Sequence, residues 1–164
     1  DARWLPGGKS IVLLGGPGGE APRCYVMEVP GGTPRAVSAP GIVGVFPSPE
    51  PGRVLFQDAN LAWYVAALDS AAARTPALGL TENDQVARWD SDGRTVYVIL
   101  RNHVPNPVEA VDVVTGKRRS VTLLDPKMPG VLYIRSIAVT PDASAYAYGA
   151  LTYISRLYTM EGAR

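Results

Sequence analysis

Trp89-Asp90-Ser91-Asp92-Gly93-Arg94-Thr95-Val96-Tyr97 reads as the end of one strand, a tight turn and the start of the next. Asp92-Gly93 supplies the positive φ that a tight hairpin demands. The run Thr95 to Leu100 has the β-branched and aromatic composition of a buried strand. The phrase recurs upstream as Trp4-Leu5-Pro6-Gly7-Gly8-Lys9-Ser10-Ile11-Val12 and as Phe46-Pro47-Ser48-Pro49-Glu50-Pro51-Gly52-Arg53-Val54-Leu55. Without its basic residue it returns as Val139-Thr140-Pro141-Asp142-Ala143-Ser144-Ala145-Tyr146. There Ala143 stands where the turn wants glycine, so that copy carries strain or changes its turn type.

The copies start at residues 4, 46, 89 and 139, intervals of 42, 43 and 50 residues. A four-stranded propeller blade repeats at ~40 to 50 residues. The expected fold is therefore all-β: about four four-stranded antiparallel β-propeller blades in one domain, near 1–40, 41–80, 81–126 and 127–164. Naming the strands A to D outward, the third copy has A at 86–89, B at 95–100, C at 108–114 and D at 118–124. The first has B at 11–14, C at 24–29 and D at 35–38. The second has A at 42–46, B at 53–57, C at 62–68 and a weak D at 74–78. The fourth has 134–140, 145–151 and 156–161.

That last copy lacks an outer strand, which exposes the edge at Arg156 to Glu161, and such an edge recruits a partner strand. The expectation is the C-terminal part of a larger propeller, with self-association through the open edge as an alternative route to closure. Large side chains at the end of strand A (Trp4, Phe46 and Trp89) are expected to wedge between blades. Tyr146 and Tyr148 share one face of their strand and are assigned to packing between blades.

Composition agrees with frequent turns between short strands: 17 Gly and 15 Pro are interspersed among apolar runs that make the chain 46% hydrophobic. With 16 Lys plus Arg against 15 Asp plus Glu, the net charge is +1, which gives no field for nucleic acid or an anionic membrane. Lys117-Arg118-Arg119 reads as a solvated turn. The single cysteine, Cys24, permits no internal disulfide and is expected to fill a strand as a small apolar residue. No apolar stretch approaches the ~20 residues of a membrane span. No signal-peptide pattern opens the chain.

Candidate chemistry resolves mostly into turns. Gly8-Lys9-Ser10 lacks the earlier glycine of a phosphate-binding loop, with Arg3 in its place. Gly15-Gly16-Pro17-Gly18-Gly19 lacks the spacing of a dinucleotide fingerprint and reads as a flexible loop. Asp90-Ser91-Asp92-Gly93 opens like a calcium loop without the closing carboxylate, and reads as a turn capped by side chains. His103 is the sole histidine and lies in a polar loop. No catalytic residue, metal ligand or cofactor is assigned. If a ligand binds, propeller topology gathers the B-to-C and D-to-A connections on one face. That face would collect Glu20, Arg23, Asp58, Asn60, Asn83, Asp84, Arg101, His103, Arg135 and Tyr153.

Ser91-Asp92-Gly93-Arg94 and Thr140-Pro141-Asp142, each followed by a strand, resemble the TolB-type, WD-like propeller repeat of bacteria over nearly the whole chain. More specifically, 86–98, Val113-Val114-Thr115-Gly116-Lys117-Arg118-Arg119, Val139-Thr140-Pro141-Asp142 and Leu157-Tyr158-Thr159-Met160-Glu161-Gly162 are similar to the C-terminal propeller of bacterial, notably acidobacterial, eukaryotic-like serine/threonine protein kinases. That resemblance implies a sensor or interaction module on an extracytoplasmic face, with a cytoplasmic location as the alternative. Its partner would be a protein or a small molecule. No kinase motif lies in this chain. The other readings are the gating propeller of a prolyl-oligopeptidase-like serine hydrolase and a TolB-like periplasmic envelope protein.

Overall fold

In the computed structural model, residues 1–68, 74–140, 143–159 and 162 are described. The first sheet is β1 (Ala2–Trp4), β2 (Ser10–Gly15), β3 (Arg23–Glu28) and β4 (Arg35–Ala36). The second is β5 (Ile42–Pro47), β6 (Arg53–Asp58), β7 (Trp63–Ala67) and β8 (Arg74–Pro76). The third is β9 (Asp84–Trp89), β10 (Thr95–Leu100), β11 (Asn106–Asp112) and β12 (Arg118–Leu124), and the fourth is β13 (Val131–Val139) with β14 (Tyr146–Thr152). Within each sheet the strands follow chain order and pair antiparallel. The inner strands β1, β5, β9 and β13 touch one another in sequence, so the sheets radiate from one side. This is the expected all-β blade architecture.

Strand alternation explains why the second strand of a blade is apolar throughout. Along β6, Val54 and Phe56 point into a core shared with Val12, Cys24 and Val37 of the first blade. Leu55, between them, points the other way, into a core with Trp89, Val96 and Val98 of the third. On β10, Val96 and Val98 join that second core, while Tyr97 and Ile99 face Val139 and Ile134 of the fourth blade. A strand with both faces covered loses the polar alternation of a one-sided sheet.

The hairpin between the first two strands repeats closely. Leu5 N bonds Ser10 O, Ser48 N bonds Arg53 O, Asp90 N bonds Thr95 O and Thr140 N bonds Ala145 O, all at 2.9, 3.0, 2.8 and 2.9 Å respectively. In the third blade, Asp92 Oδ1 accepts the backbone N–H of Arg94 and Thr95, each at 2.8 Å, which is the expected side-chain cap. Although partial burial works against it, these bonds hold the Asp92 carboxyl below its ordinary pKa. Ala143 donates its N–H to Thr140 O as Gly93 does to Asp90 O, and it bears the strain: its φ is +53°, where Gly93 has +64°.

Several expectations need correction. By register, Trp4 pairs Ile11, Trp89 pairs Val96 and Pro47 pairs Val54, so Pro47, not Phe46, takes the place of the two tryptophans. Trp89 wedges between blades as expected, but Trp4 is 60% exposed. Residues 153–159 form no strand, so the third strand expected at 156–161 is absent among the described residues, and Met160 and Glu161 lie outside them. Tyr146 and Tyr148 remain 45% and 38% exposed rather than packed away.

Arg118 needs correction too: instead of standing in a solvated turn, it is clamped between carboxylates. Its Nη1 and Nη2 donate to the two oxygens of Asp84, each at 2.9 Å, and Nε donates to Glu109 Oε2 at 2.9 Å. The Asp84 bonds, with Glu109 adding to them against the effect of burial, hold the guanidinium pKa above its ordinary value. Among the described residues no helix is long and apolar enough to cross a membrane, which says nothing of a β-barrel.

Candidate functional site

Register places the loop-borne candidates at one end of the sheets. The last residue of the second strand pairs with the first residue of the inner strand in Ile42–Asp58, Asp84–Leu100 and Val131–Thr152. Backbone bonds then close each end: Ala59 N to Gly41 O and Arg101 N to Asn83 O at 2.8 Å, and Tyr153 N to Gly130 O at 2.9 Å. Arg23 opens β3 at the same end of the first sheet.

Their chemistry differs sharply. Asp84 is fully buried under Arg118, and its Oδ2 also accepts Thr81 N at 2.7 Å, so it holds the fold and does not face solvent. Asp58 caps its own loop, its Oδ1 accepting the N–H of Asn60 and Ala62 at 2.9 and 3.0 Å. Arg23 stands 3.8 Å from Glu20, and its Nε is buried without a hydrogen-bond partner. Asn83, His103 and Tyr153 are exposed.

Two hollows between blades open at this end. One, of about 460 Å³ between the first and second blades, is lined in part by Ser38, Phe56, Asp58, Asn60 and Arg74. The other, of about 330 Å³ between the third and fourth, is lined by Gln85, Arg101, Asn102, Tyr133, Ile134 and Arg135. The structure thus brings Arg101 and Arg135 together, puts Asp58 with Asn60 in a separate hollow, and leaves Arg23, Asn83, His103 and Tyr153 in neither. Gln85 and Tyr133 were missed because they sit inside strands β9 and β13. Only their nearness to the strand starts hinted that they reach the loop end. A third hollow, of about 530 Å³ at the opposite end, is lined mainly by aliphatic residues such as Val65, Leu78 and Val113, and nothing in the loop argument anticipated it.

The second of these hollows has the more polar lining. Arg101 is held in place: Nη2 donates to Gln57 Oε1 at 2.9 Å and Nε to the Glu82 carbonyl at 3.2 Å. Gln57 is itself buried and anchored by its Nε2 to Leu61 O at 3.2 Å. Across the blade boundary, Gln85 Nε2 donates to the Arg135 carbonyl at 2.9 Å and so holds that strand in place. Behind the loop, buried Asn106 accepts Leu100 N at 2.9 Å and donates to Leu100 O at 2.7 Å, which fixes the connection carrying Arg101. Among the described residues no group of His, Cys, Asp and Glu could hold a metal ion.

No protein-family model matches the sequence, and neither does any curated protein. Among solved structures, TolB from Acinetobacter baumannii is similar at a TM-score of 0.65 and 19% identity, over 90% of this chain and 36% of that one. A protein described as TolB from Agrobacterium tumefaciens gives 0.62 and 16%, over 91% of this chain and 52% of that one. The β-propeller domain of the Trilobed protease from Pyrococcus furiosus gives 0.51 and 15%, over 74% and 42%. This chain therefore spans between a third and about half of the length of these structures. At such identities the likeness establishes the fold, a TolB-like β-propeller, and no more.

Proposed function

We propose that this chain is a non-catalytic recognition module whose loop end binds a protein or small-molecule ligand. The observation that carries the reading is the polar hollow between the third and fourth blades, where Arg101 is oriented in advance on a rigid sheet scaffold. The sequence resemblance extends the proposal to the parent: a propeller forming the C-terminal part of a bacterial serine/threonine kinase, on the extracytoplasmic side of a membrane anchor.

Backbone amide NMR of the chain against a panel of peptides and metabolites tests the module. The expected result is saturable shifts clustered at residues 58–60, 83–85, 101–103 and 133–135. Turnover of a hydrolase substrate, or shifts confined to the opposite end, would overturn it. The coding sequence upstream of Asp1 tests the parent, since a kinase domain followed by a span is expected there.

A further inference from the structure

We infer that the hollow between the third and fourth blades is an oxyanion site, taking a carboxylate or phosphate group from the ligand; this rests on reading the loop end as the binding face. Its six lining residues offer two guanidiniums, two carboxamides, a phenol and one aliphatic side chain, and no carboxylate. Elsewhere in the chain Arg3, Arg23, Arg53, Arg94 and Arg118 each have an acidic partner within 4 Å. Arg101 and Arg135 have none among the described residues, as is true of Arg35, Arg74, Arg88, Arg119 and Arg156, but only Arg101 and Arg135 border one hollow together.

What holds Arg101 is neutral on both sides, a carboxamide oxygen and a backbone carbonyl, so its position is set without its charge being cancelled. Two of its N–H groups are used and three remain. The Arg135 side chain makes no hydrogen bond or ion pair among the described residues, while its backbone is tied to Gln85. Two like charges bordering one hollow repel each other until an anion lies between them. A guanidinium presents paired N–H donors at the spacing of carboxylate and phosphate oxygens. Asn102 turns through a left-handed conformation, φ +52°, at the rim, where its carboxamide can add a neutral donor. The volume of about 330 Å³ is at the small end of ligand pockets and suits a small acid or the terminus of a larger molecule.

The test follows the arginine Nε–Hε NMR signals of the intact chain during titration with succinate and, separately, with inorganic phosphate, at constant ionic strength against sodium chloride. Saturable shifts at Arg101 and Arg135, absent at the exposed Arg35, are expected with at least one of the two anions. A response to succinate alone identifies a carboxylate site, to phosphate alone a phosphate site, and to both a general oxyanion site. Arg135→Gln is expected to weaken the response about tenfold or more. It removes no bond seen in the structure, so its thermal melt stays unchanged. Arg101→Gln should act in the same direction, with its loss of the Gln57 contact monitored by the melt. Linear shifts, or equal shifts at Arg35, or an unaltered response in Arg135→Gln, would overturn the site. If instead another ligand shifts the loop-end amides while neither anion does, only the ligand class falls and the binding face stands.

Discussion

The indole Nε1 of Trp89 donates to the backbone carbonyl of Phe46 at 3.0 Å, joining the inner strands of the second and third blades. The guanidinium of Arg53 stands 5.6 Å from the centre of the same ring and donates to Gly93 O at 3.0 Å, so three separate contacts cross this boundary. Trp4 occupies the same register in the first blade and is 60% exposed, while Trp89 is 3% exposed. One repeat position therefore has two energetic roles, decided by whether a neighbouring blade covers it. Trp89→Ala is expected to cost about 3 to 5 kcal/mol, the usual range for emptying a buried aromatic site. Trp4→Ala should stay within about 0.5 kcal/mol of the parent chain, as exposed substitutions do. Chemical denaturation of the two variants measures the contrast, and equal costs would contradict the register assignment.

The strained turn of the fourth blade offers a gain. Ala143 holds φ +53° and its N–H bonds Thr140 O at 3.0 Å, so the turn is made at the cost of a left-handed conformation that an L-residue disfavours by about 1 to 2 kcal/mol. Glycine removes most of that strain but adds freedom to the unfolded chain. The net expectation for Ala143→Gly is a stabilisation of up to about 1 kcal/mol. The reverse change in the third blade, Gly93→Ala at φ +64°, should destabilise by a similar amount. Thermal melts of the two variants moving in the same direction would contradict this account.

Local chemistry and period made the blades legible, and long-range pairing hid the rest. Thr95–Leu100 and Arg118–Leu124 were readable to the residue because a turn glycine, Gly93 or Gly116, stands two residues before each. The second copy was misregistered by one because its landmarks shift in opposite directions. Its aromatic, Phe46, precedes the wedge position, and its basic residue, Arg53, follows the place held by Lys9 and Arg94. The stretch 156–161, with Leu157 and Tyr158, was expected to form a strand, but a strand exists only where a partner pairs with it. Arg118 looked like one of three solvated cations, since its partner Asp84 lies 34 residues away and no local rule links them. Of the candidate site, topology found Arg101 through its loop position and Arg135 near the start of the strand expected at 134–140, although β13 begins earlier and holds it beyond Tyr133. Gln57, Gln85 and Tyr133 were hidden within strands.

The Arg118 clamp predicts an asymmetric response. Arg118→Met removes the cation and leaves the fully buried Asp84 carboxylate with only the Thr81 donors, a loss expected to cost about 3 to 5 kcal/mol. Adding Asp84→Asn to that variant removes the stranded charge and should recover part of the loss. A double-mutant cycle by urea denaturation reads the coupling, and additive costs would show that the two residues act independently.

Cys24 gives a pH dependence with a defined sign. Burial pushes its thiol pKa up to about 11, against a smaller lowering by the Ser38 hydroxyl. In the unfolded chain the thiol ionises near its ordinary value of about 8.5. The folded pKa is raised, so the contribution of this group is fully present below the unfolded value and is lost as pH rises toward 11. Stability should therefore decline through that interval by an amount that Cys24→Ala abolishes, once its own cavity cost is subtracted. At pH 8 the folded thiol should resist alkylation until denaturant is added. Rapid labelling of the folded chain would contradict the burial.

The outer edge of β14 carries the last expectation. This strand pairs only with β13 among the described residues, and most of its length is exposed. Unpaired N–H and C=O groups along a strand are a template for a second strand, and here Tyr146, Tyr148 and Leu151 add apolar area beside them. Light scattering of the isolated chain should show concentration-dependent association. A lysine at Leu151, 37% exposed and away from the described cores, introduces the kind of edge charge that native sheets use against such pairing, and Leu151→Lys should shift the equilibrium toward monomer without lowering the melt. A chain that stays monomeric at high concentration would refute the edge pairing, and an association that Leu151→Lys leaves intact would place the contact elsewhere. In the latter case the exposed face bearing Trp4 becomes the surface to probe, because the same register on the third blade already shows how such a tryptophan seats against a neighbouring sheet.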